Sequence, residues 1–378
     1  MRKRGFQAPG MSAPGTAEGV GKLVMKGRGA NSNRASRYLP THSEAASDGW
    51  DAPGEEDAAA PEVATELYPD ATRRLITRNQ SPDVPFDRSI NPYKGCEHGC
   101  IYCFARPTHA YLDLSPGIDF ETRIFYKTGV REALVEELSR KGYECRPIAM
   151  GTNTDPYQPA ERARRITRTI LEVLLEHDHP VSIVTKGLLI LRDLDLLGEL
   201  ARRGLASVAV SLTTLDNGLK ARLEPRAAGP DARLRMIREL SAAGVPTGVM
   251  LAPVIPFLND HEIEDMVAAA ADAGARRGNY ILLRLPLEVA GLFEDWLAVH
   301  YPLRAERVMN AIRASRGGKA YDAAWGRRMR GEGPFAELIA RRFAAAAKKH
   351  GLDREERGQG ELRTDLFRPP GQRQISLF

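Results

Sequence analysis

Long apolar runs are missing from this 378-residue sequence, and no uninterrupted apolar stretch is long enough to span a bilayer. The first residues, from Met1 to Phe6, lack the apolar core of a signal peptide. Cysteine is also scarce, with only four in the chain, which excludes a disulfide-rich scaffold. We therefore expect a cytoplasmic protein with no membrane partner.

Positive and negative side chains are nearly equal in number, and the formal net charge is only +5. Such a balance permits a nucleic-acid partner without requiring one, because a solvated basic surface is the more common explanation. The hydrophobic content of 43% is sufficient for a sizeable core. The chain is long enough for one large domain with appendages or for two domains.

Large apolar residues are scarce at both ends of the chain, where glycine, proline and charged residues are frequent. Such segments cannot bury enough surface to offset the entropy lost on ordering. We therefore expect residues 1–80 to be a largely disordered N-terminal segment and residues 352–378 to be a mobile tail. The basic stretch from Lys26 to Ala30 is an exception that could dock on the core.

Between these ends, short apolar runs alternate with stretches of helical periodicity. Strands that alternate with helices form right-handed βαβ units, so the strands should be parallel. Six units suit an α/β fold, a partial (β/α)6 TIM-like barrel over residues 81–290, with the site at the carboxyl ends of the strands. A doubly wound open sheet is the alternative. The predicted strands are residues 87–94, 147–150, 181–185, 206–212, 247–253 and 279–284.

Helical periodicity predicts helices at residues 161–177, 188–203 and 231–243. Asn259 with Glu262 three residues later matches a capping box at the start of the next helix. Residues 291–351 are mainly helical in pattern. We expect this C-terminal extension to pack against the open side of the barrel.

Three of the four cysteines lie in one loop with the spacing C-x3-C-x2-C, and they are Cys96, Cys100 and Cys103. Three thiolates satisfy three irons of a [4Fe–4S] cluster and leave the fourth iron open for chemistry. A structural zinc site with Cys145 as the fourth ligand is the alternative. Zinc ligands usually come as two pairs, whereas Cys145 stands alone in the sequence, so the spacing favours the cluster.

Polar residues follow several of the predicted strands, where a barrel of this kind carries its site. Those after the second strand also suit a turn and a helix N-cap, and those near residue 224 suit a surface ion pair. Asp155 can accept hydrogen bonds from an ammonium group. Arg284, at the end of the sixth strand, is expected at the barrel mouth. The candidate ligand-binding residues are Thr152, Asn153, Asp155, Lys186, Ser211 and Arg226.

Five segments resemble the radical S-adenosylmethionine (SAM) proteins related to spore photoproduct lyase, and they are residues 91–96, 102–107, 152–157, 184–186 and 223–226. The resemblance implies the partial barrel in place of the open sheet, and a [4Fe–4S] cluster on Cys96, Cys100 and Cys103, with SAM on the open iron. It further implies that an external reducing donor drives cleavage of SAM to a 5′-deoxyadenosyl radical.

The same resemblance implies that Tyr102 lies near the adenine of SAM and that Lys186 and Ser211 hold its carboxylate. Residues 152–155 would lie beside SAM. The lyase splits a thymine dimer in DNA and needs a cysteine hydrogen donor, whereas Gly151 occupies the matching position here. We therefore expect action on nucleic acid, such as a DNA lesion, but not necessarily the lyase reaction.

The end of the chain, from Gln374 to Phe378, resembles the pentapeptide with which bacterial repair proteins dock on the sliding clamp. A terminal Leu-Phe pair could instead pack on its own domain. Two other functional hypotheses stay open. One is a radical SAM enzyme that modifies a protein or small molecule, and the other is a non-enzymatic, zinc-bearing clamp adaptor.

Overall fold

The computed structural model describes residues 25–34, 36–38, 63–70, 74–353 and 362–371. Most of the predicted N-terminal segment and the clamp-like residues from Gln374 to Phe378 lie outside this set. The strands are β1 Glu66–Asp70, β2 Thr77–Arg78, β3 Arg88–Ile90, β4 Tyr93–Lys94, β5 Arg123–Lys127, β6 Ile148–Met150, β7 Val181–Thr185, β8 Ala206–Ser211, β9 Thr247–Val254 and β10 Arg277–Leu282. The helices are α1 Asp119–Thr122, α2 Val130–Leu138, α3 Glu161–Arg164, α4 Ile166–Glu176, α5 Leu194–Arg202, α6 Asn217–Leu223, α7 Pro230–Ala242, α8 Ile263–Asp272, α9 Glu288–His300, α10 Ala305–Ala314 and α11 Gly333–His350.

A seven-stranded sheet forms the centre of the molecule, in the order β10-β9-β8-β7-β6-β3-β2. Every neighbouring pair from β3 to β10 is parallel, and β2 is antiparallel at the edge. The barrel is not closed, because β10 and β2 are edge strands. Each of the six predicted strands is present, so the structure confirms the partial barrel.

A second sheet, in the order β1-β5-β4, was not predicted. Its strand β1, together with β2, falls within residues 1–80, where we expected little regular structure. Both strands are mostly exposed and thus lack an apolar pattern. Strand β1 exists because it pairs along its whole length with β5. Leu75 lies close by, buried in the core, and its N–H donates to Glu137 Oε1 at 2.5 Å.

Three helix predictions differ from the structure. The helix predicted at residues 188–203 begins as a 3-10 helix, Leu188–Asp193, and continues as α5. The predicted helix at residues 161–177 is split into α3 and α4 at Arg165, which has a φ of 52°. The predicted capping box at Asn259 is wrong. The Asn259 amide instead donates to Thr213 O at 2.6 Å and to Pro253 O at 2.9 Å. Its side chain therefore ties the carboxyl ends of β8 and β9 together.

The C-terminal extension crosses the open side of the barrel. Met329 O accepts a hydrogen bond from Leu282 N in β10 at 2.9 Å. The Gly326 N–H donates to Asp83 Oδ1 at 2.6 Å, and Arg328 pairs with the same carboxylate. Asp83 lies between β2 and β3, so residues 326–329 span the gap between the two ends of the sheet.

Helix α9 packs against the cysteine loop. Its residues Phe293 and Trp296 share one buried cluster with Cys100, Ile101 and Tyr102. Helix α11 packs instead on α8 and β10, with its Phe343 ring 5.0 Å from that of Tyr280. Within the described ranges, no helix combines the length and apolar character needed to cross a membrane.

Candidate active site

The three-cysteine loop follows β4 of the second sheet and lies beyond the carboxyl end of β3 in the parallel sheet. Gly95 and Gly99 adopt φ angles of 80° and 67°, which side-chain-bearing residues rarely take. A Cβ at Gly99 would lie 2.7 Å from Glu121 Oε2. The loop therefore turns tightly against its surroundings and carries its thiols on a constrained backbone.

The thiols of this loop are free and largely withdrawn from solvent. Burial raises the pKa of all three, for Cys100 to about 12, and the other two thiols add to the effect at Cys96. Without a cation the thiols are therefore protonated. An iron–sulfur cluster supplies that cation, and thiolate is the ligand that such clusters prefer. The donor set fits the cluster.

Cys145 lies at the amino ends of the parallel strands, whereas the cysteine loop lies at their carboxyl ends. It precedes β6, whose first residue Ile148 pairs with Arg88 at the start of β3, whereas the cysteine loop follows the other end of β3. Cys145 cannot complete a zinc site with the three loop cysteines. In the described part of the chain, no three His, Cys, Asp or Glu side chains are gathered to hold a single ion.

A fully buried ion pair supports the loop from the side. Arg106 Nη2 lies 2.5 Å from Glu121 Oε1. The same guanidinium donates to Cys100 O at 2.9 Å and to Gly99 O at 3.3 Å. The pair thus fixes the backbone at the second cysteine, Cys100, and at the residue before it.

The N-terminal strap, residues 25–34, docks on this pair, as we expected of the basic stretch. The Gly29 and Ala30 N–H groups donate to the Glu121 carboxylate at 3.0 and 2.9 Å. Arg28 is buried and donates to Glu121 O at 2.9 Å. A Cβ at Gly29 would lie 1.8 Å from Gly99 O, so the strap runs directly against the cysteine loop.

The segment after β6 lies beside the cysteine loop. Thr152 Oγ1 donates to Asn91 Oδ1 at 3.4 Å, and the Asn153 N–H donates to the same oxygen at 3.1 Å. Asn91 follows β3 and precedes the loop. Thr152 and Asn153 are therefore held at the carboxyl ends of two adjacent strands, as the sequence predicts.

Asp155 makes its contacts inside the protein. Oδ1 accepts from Thr185 Oγ1 at 2.6 Å and Oδ2 from Lys186 N at 2.8 Å, while His98 Nδ1 lies 3.4 Å from Oδ2. Burial opposes its ionisation, but His98 and these donors outweigh burial and lower the pKa to about 2. Asp155 thus holds Lys186 in place, and its direct contact with SAM stays a prediction.

Lys186 and Ser211 lie at the carboxyl ends of β7 and β8. Lys186 Nζ is 3.0 Å from Ser211 Oγ and 3.9 Å from Glu224 Oε1. It also stands 5.8 Å from the centre of the Tyr102 ring. The predicted pair is therefore assembled next to an aromatic residue of the cysteine loop.

Glu224 is the buried centre of this network. Its carboxylate accepts hydrogen bonds from Tyr102, Arg233 and Thr213. Burial opposes its ionisation, but Arg233 and Lys186 lower the pKa to about 2. A surface ion pair was the alternative interpretation of this segment. The acid is instead fully buried and connects the cysteine loop to β8.

Arg226 pairs with the cysteine loop. Its Nη2 lies 3.3 Å from Glu97 Oε1, and its N–H donates to His98 O at 3.3 Å. Gln158 contacts the same loop from the other side. Its amide accepts from Glu97 N at 3.0 Å and donates to Gly95 O at 3.1 Å. Gln158 belongs to the polar run after β6, but sequence analysis did not include it among the candidate binding residues.

Comparison with known proteins agrees with this geometry. The family model of the radical SAM superfamily matches residues 90–270. An uncharacterized protein of Mycobacterium tuberculosis is 41% identical over 232 residues, which cover 61% of this chain and 68% of the relative. An uncharacterized protein of Methanocaldococcus jannaschii is 26% identical over 58% of this chain and 79% of its own length.

The fold is similar to that of solved spore photoproduct lyase structures. A mutant of that lyase with bound AdoMet and dinucleoside spore photoproduct superposes with a TM-score of 0.54 at 15% identity, covering 75% of this chain and 78% of the lyase. This similarity concerns the fold. Together with the family match, it explains why a three-cysteine loop stands at the carboxyl ends of a partial barrel. The chain belongs to the radical SAM superfamily, whose cofactors are a [4Fe–4S] cluster and SAM.

Proposed function

We propose that this chain reductively cleaves SAM and directs the resulting radical to a nucleic-acid substrate, such as a lesion in DNA. The observation that carries the proposal is the junction at Glu224, where Tyr102 of the cysteine loop meets Lys186 after β7. Tyr102, next to the cluster ligands, and Lys186, a cation suited to binding a carboxylate, thus both contact the buried Glu224.

The residues of the chain have separate tasks in this proposal. Cys96, Cys100 and Cys103 would hold the cluster, which when bound would pass an electron from an external donor to SAM so that a carbon–sulfur bond of SAM breaks. Lys186 and Ser211 bind the SAM carboxylate through charge-assisted hydrogen bonds. The remaining candidates, Tyr102, Thr152, Asn153, Asp155 and Arg226, shape the pocket around SAM.

Gly151 argues against a reaction that needs a cysteine hydrogen donor after the second barrel strand. Its φ is 80°, and a Cβ built there would lie 1.9 Å from Val184 O. No side chain fits at this position without moving β7. The substrate radical therefore needs a different hydrogen source, and we infer a reaction distinct from that of the lyase.

The nucleic-acid part of the proposal is supported by the lyase structures, one of which is described as complexed with dinucleoside spore photoproduct. The net charge of +5 agrees with it. Clamp docking through Gln374 and Phe378 stays a prediction that would place the enzyme on DNA.

The test has two separate parts under anaerobic conditions. The first measures 5′-deoxyadenosine formed from SAM with dithionite. The second measures binding of labelled DNA across a salt series, because phosphate contacts weaken as salt rises. We expect both to be positive. Cleavage without salt-sensitive DNA binding would redirect the search to a protein or small-molecule substrate.

A further inference from the structure

Arg284 follows β10, the strand at one edge of the sheet. The cysteine loop follows β3, which lies next to the strand at the other edge. The two nevertheless meet across the open side of the barrel. The Arg284 guanidinium lies 4.3 Å from the centre of the Phe104 ring. Phe104 directly follows Cys103, so this contact stands at the edge of the cluster site.

The Phe104 ring is not part of the core. Its exposed fraction is 42%, although it lies next to buried loop residues. Trp325, next to the residues that cross the barrel gap, is 63% exposed. Two large aromatic rings therefore remain accessible on this side of the molecule. Exposed rings beside arginines are typical of surfaces that stack the bases of single-stranded nucleic acid.

Arg284 is a half-buried cation without an acidic partner. Within the described residues, its one specific side-chain contact is the Phe104 ring. The nearby acid Asp83 is engaged by Arg328 and by the Gly326 N–H. Burial, and the neighbouring Arg328 charge, lower the pKa of Arg284. The charge is thus held where it costs free energy unless an anion comes to it.

Arg316 is a second cation near Arg284. It donates to four backbone carbonyl oxygens, those of Leu282, Leu283, Arg327 and Arg328, at 2.8 to 3.1 Å. Carbonyls orient the guanidinium but do not neutralise it. Burial, and then repulsion from Arg284, lower its pKa to about 10. Among the described residues, neither Arg284 nor the buried Arg316 forms a salt bridge with a carboxylate.

We propose that Arg284 and Phe104 bind one nucleotide of an unpaired nucleic-acid strand at the open side of the barrel. The guanidinium contacts a phosphate, and the exposed part of the ring stacks on a base. This inference rests on the proposed function and deepens it, because it says how the substrate enters. A nucleotide held there lies beside Cys103, within the reach of chemistry at the cluster.

The experiment uses the full chain with its cluster reconstituted anaerobically. The probe is a fluorescently labelled 12-nucleotide single-stranded DNA, and its anisotropy gives the dissociation constant at several salt concentrations. The variants are R284Q, R284K and F104L. The control is R235Q, which removes an exposed arginine of α7 that pairs with Glu239. Iron content confirms that every variant carries its cluster.

R284Q should weaken binding about tenfold and reduce the slope of log affinity against log salt by about 0.7, the contribution of one phosphate contact to a single strand. R284K keeps the charge and should keep the slope. F104L keeps apolar bulk but removes the aromatic face, so binding should weaken about fivefold with an unchanged slope. R235Q should match the unmodified protein.

Equal affinities and slopes for R284Q and R235Q would overturn the proposal, and a change confined to the cluster spectrum would then mark Arg284 as a charge partner of the Cys103 thiolate. If the unmodified chain cleaves SAM but binds no DNA at any salt concentration, the nucleic-acid part of the proposed function fails. That result is distinguishable, because it appears before any substitution is made.

Discussion

The Lys186 ammonium donates a hydrogen bond to the Ser211 hydroxyl across a distance of 3.0 Å, joining the carboxyl ends of β7 and β8. The Ser211 hydroxyl donates in turn to Ala252 O in β9 at 3.2 Å. Three neighbouring strands thus determine where one cation stands. Because the backbone N–H of Lys186 is bound by Asp155, the side chain starts from a fixed point and can offer its remaining donors to a carboxylate.

Replacing Lys186 by alanine should weaken SAM binding about tenfold to a hundredfold, the loss expected for one charge-assisted hydrogen bond. Calorimetric titration of the reconstituted protein with SAM measures this directly. Lys141 is exposed near the amino end of β6, and K141A serves as the control. If K186A binds SAM as tightly as K141A does, Lys186 does not hold the carboxylate.

The Glu224–Arg233 pair is buried, and its disruption should be costly. E224Q leaves the Arg233 guanidinium buried without a carboxylate, and such losses typically cost about 3–5 kcal/mol of unfolding free energy. E239Q removes the surface partner of Arg235 and should cost less than about 1 kcal/mol. Urea denaturation of both variants tests the contrast. Equal unfolding free energies would mean that Glu224 is not the centre of the network.

The N-terminal strap should protect the cysteine loop. In G29A the new methyl group collides with Gly99 O, so the strap must detach. Trypsin should then cut after Arg28, which is otherwise buried, and the cluster should bleach faster in air.

Gly27 provides the matched control, because a Cβ there meets no atom within 4 Å. G27A pays only the cost of a positive φ, about 1 kcal/mol. Identical trypsin patterns and bleaching rates for G29A and G27A would show that the strap does not shield the loop.

His179 should make the unfolding free energy depend on pH. Burial lowers its pKa to about 4, so the folded protein holds it neutral. The unfolded chain binds a proton near its ordinary pKa of about 6.5. Stability is therefore highest above pH 6.5 and falls as the pH drops toward 4, by about 3 kcal/mol for this one group.

Unfolding free energies of the unmodified chain and H179Q between pH 4 and 7 test this effect. The variant should lose that part of the pH dependence. H261Q, at an exposed histidine, should behave like the unmodified chain. A slope retained in H179Q would assign the dependence to other groups.

Apolar pattern was sufficient to predict the six strands, whereas the choice of a partial barrel over an open sheet came from the radical SAM resemblance. Strand β7 matches its prediction residue for residue, because its side chains alternate between buried and half-buried positions. Strand β1 was not predicted because its pairing partner, β5, lies far along the chain. The helix break at Arg165 was not predicted because the apolar periodicity continues beyond it, at Ile166 and Ile170. Such features depend on tertiary contacts and not on local pattern.

The candidate site was predictable where a function fixes residue spacing. The cysteine spacing is local and predicted the loop directly. Glu224 was visible as an acid, but its burial depends on α6 and α7 folding back so that Arg233 reaches it. The Arg106–Glu121 pair and the strap carry no local signature, because their partners are separated by up to 93 residues. Burial and pairing of charges thus had to come from the structure.

Anaerobic reconstitution with iron and sulfide, followed by dithionite and SAM, tests the central claim most directly. C96A, C100A and C103A should each lose the visible absorption of the cluster and form no 5′-deoxyadenosine. C145A, which removes the cysteine at the amino ends of the strands, should retain both. A colourless protein that binds zinc and leaves SAM intact, or a C100A variant that still makes 5′-deoxyadenosine, would contradict the assignment of the cluster to this loop.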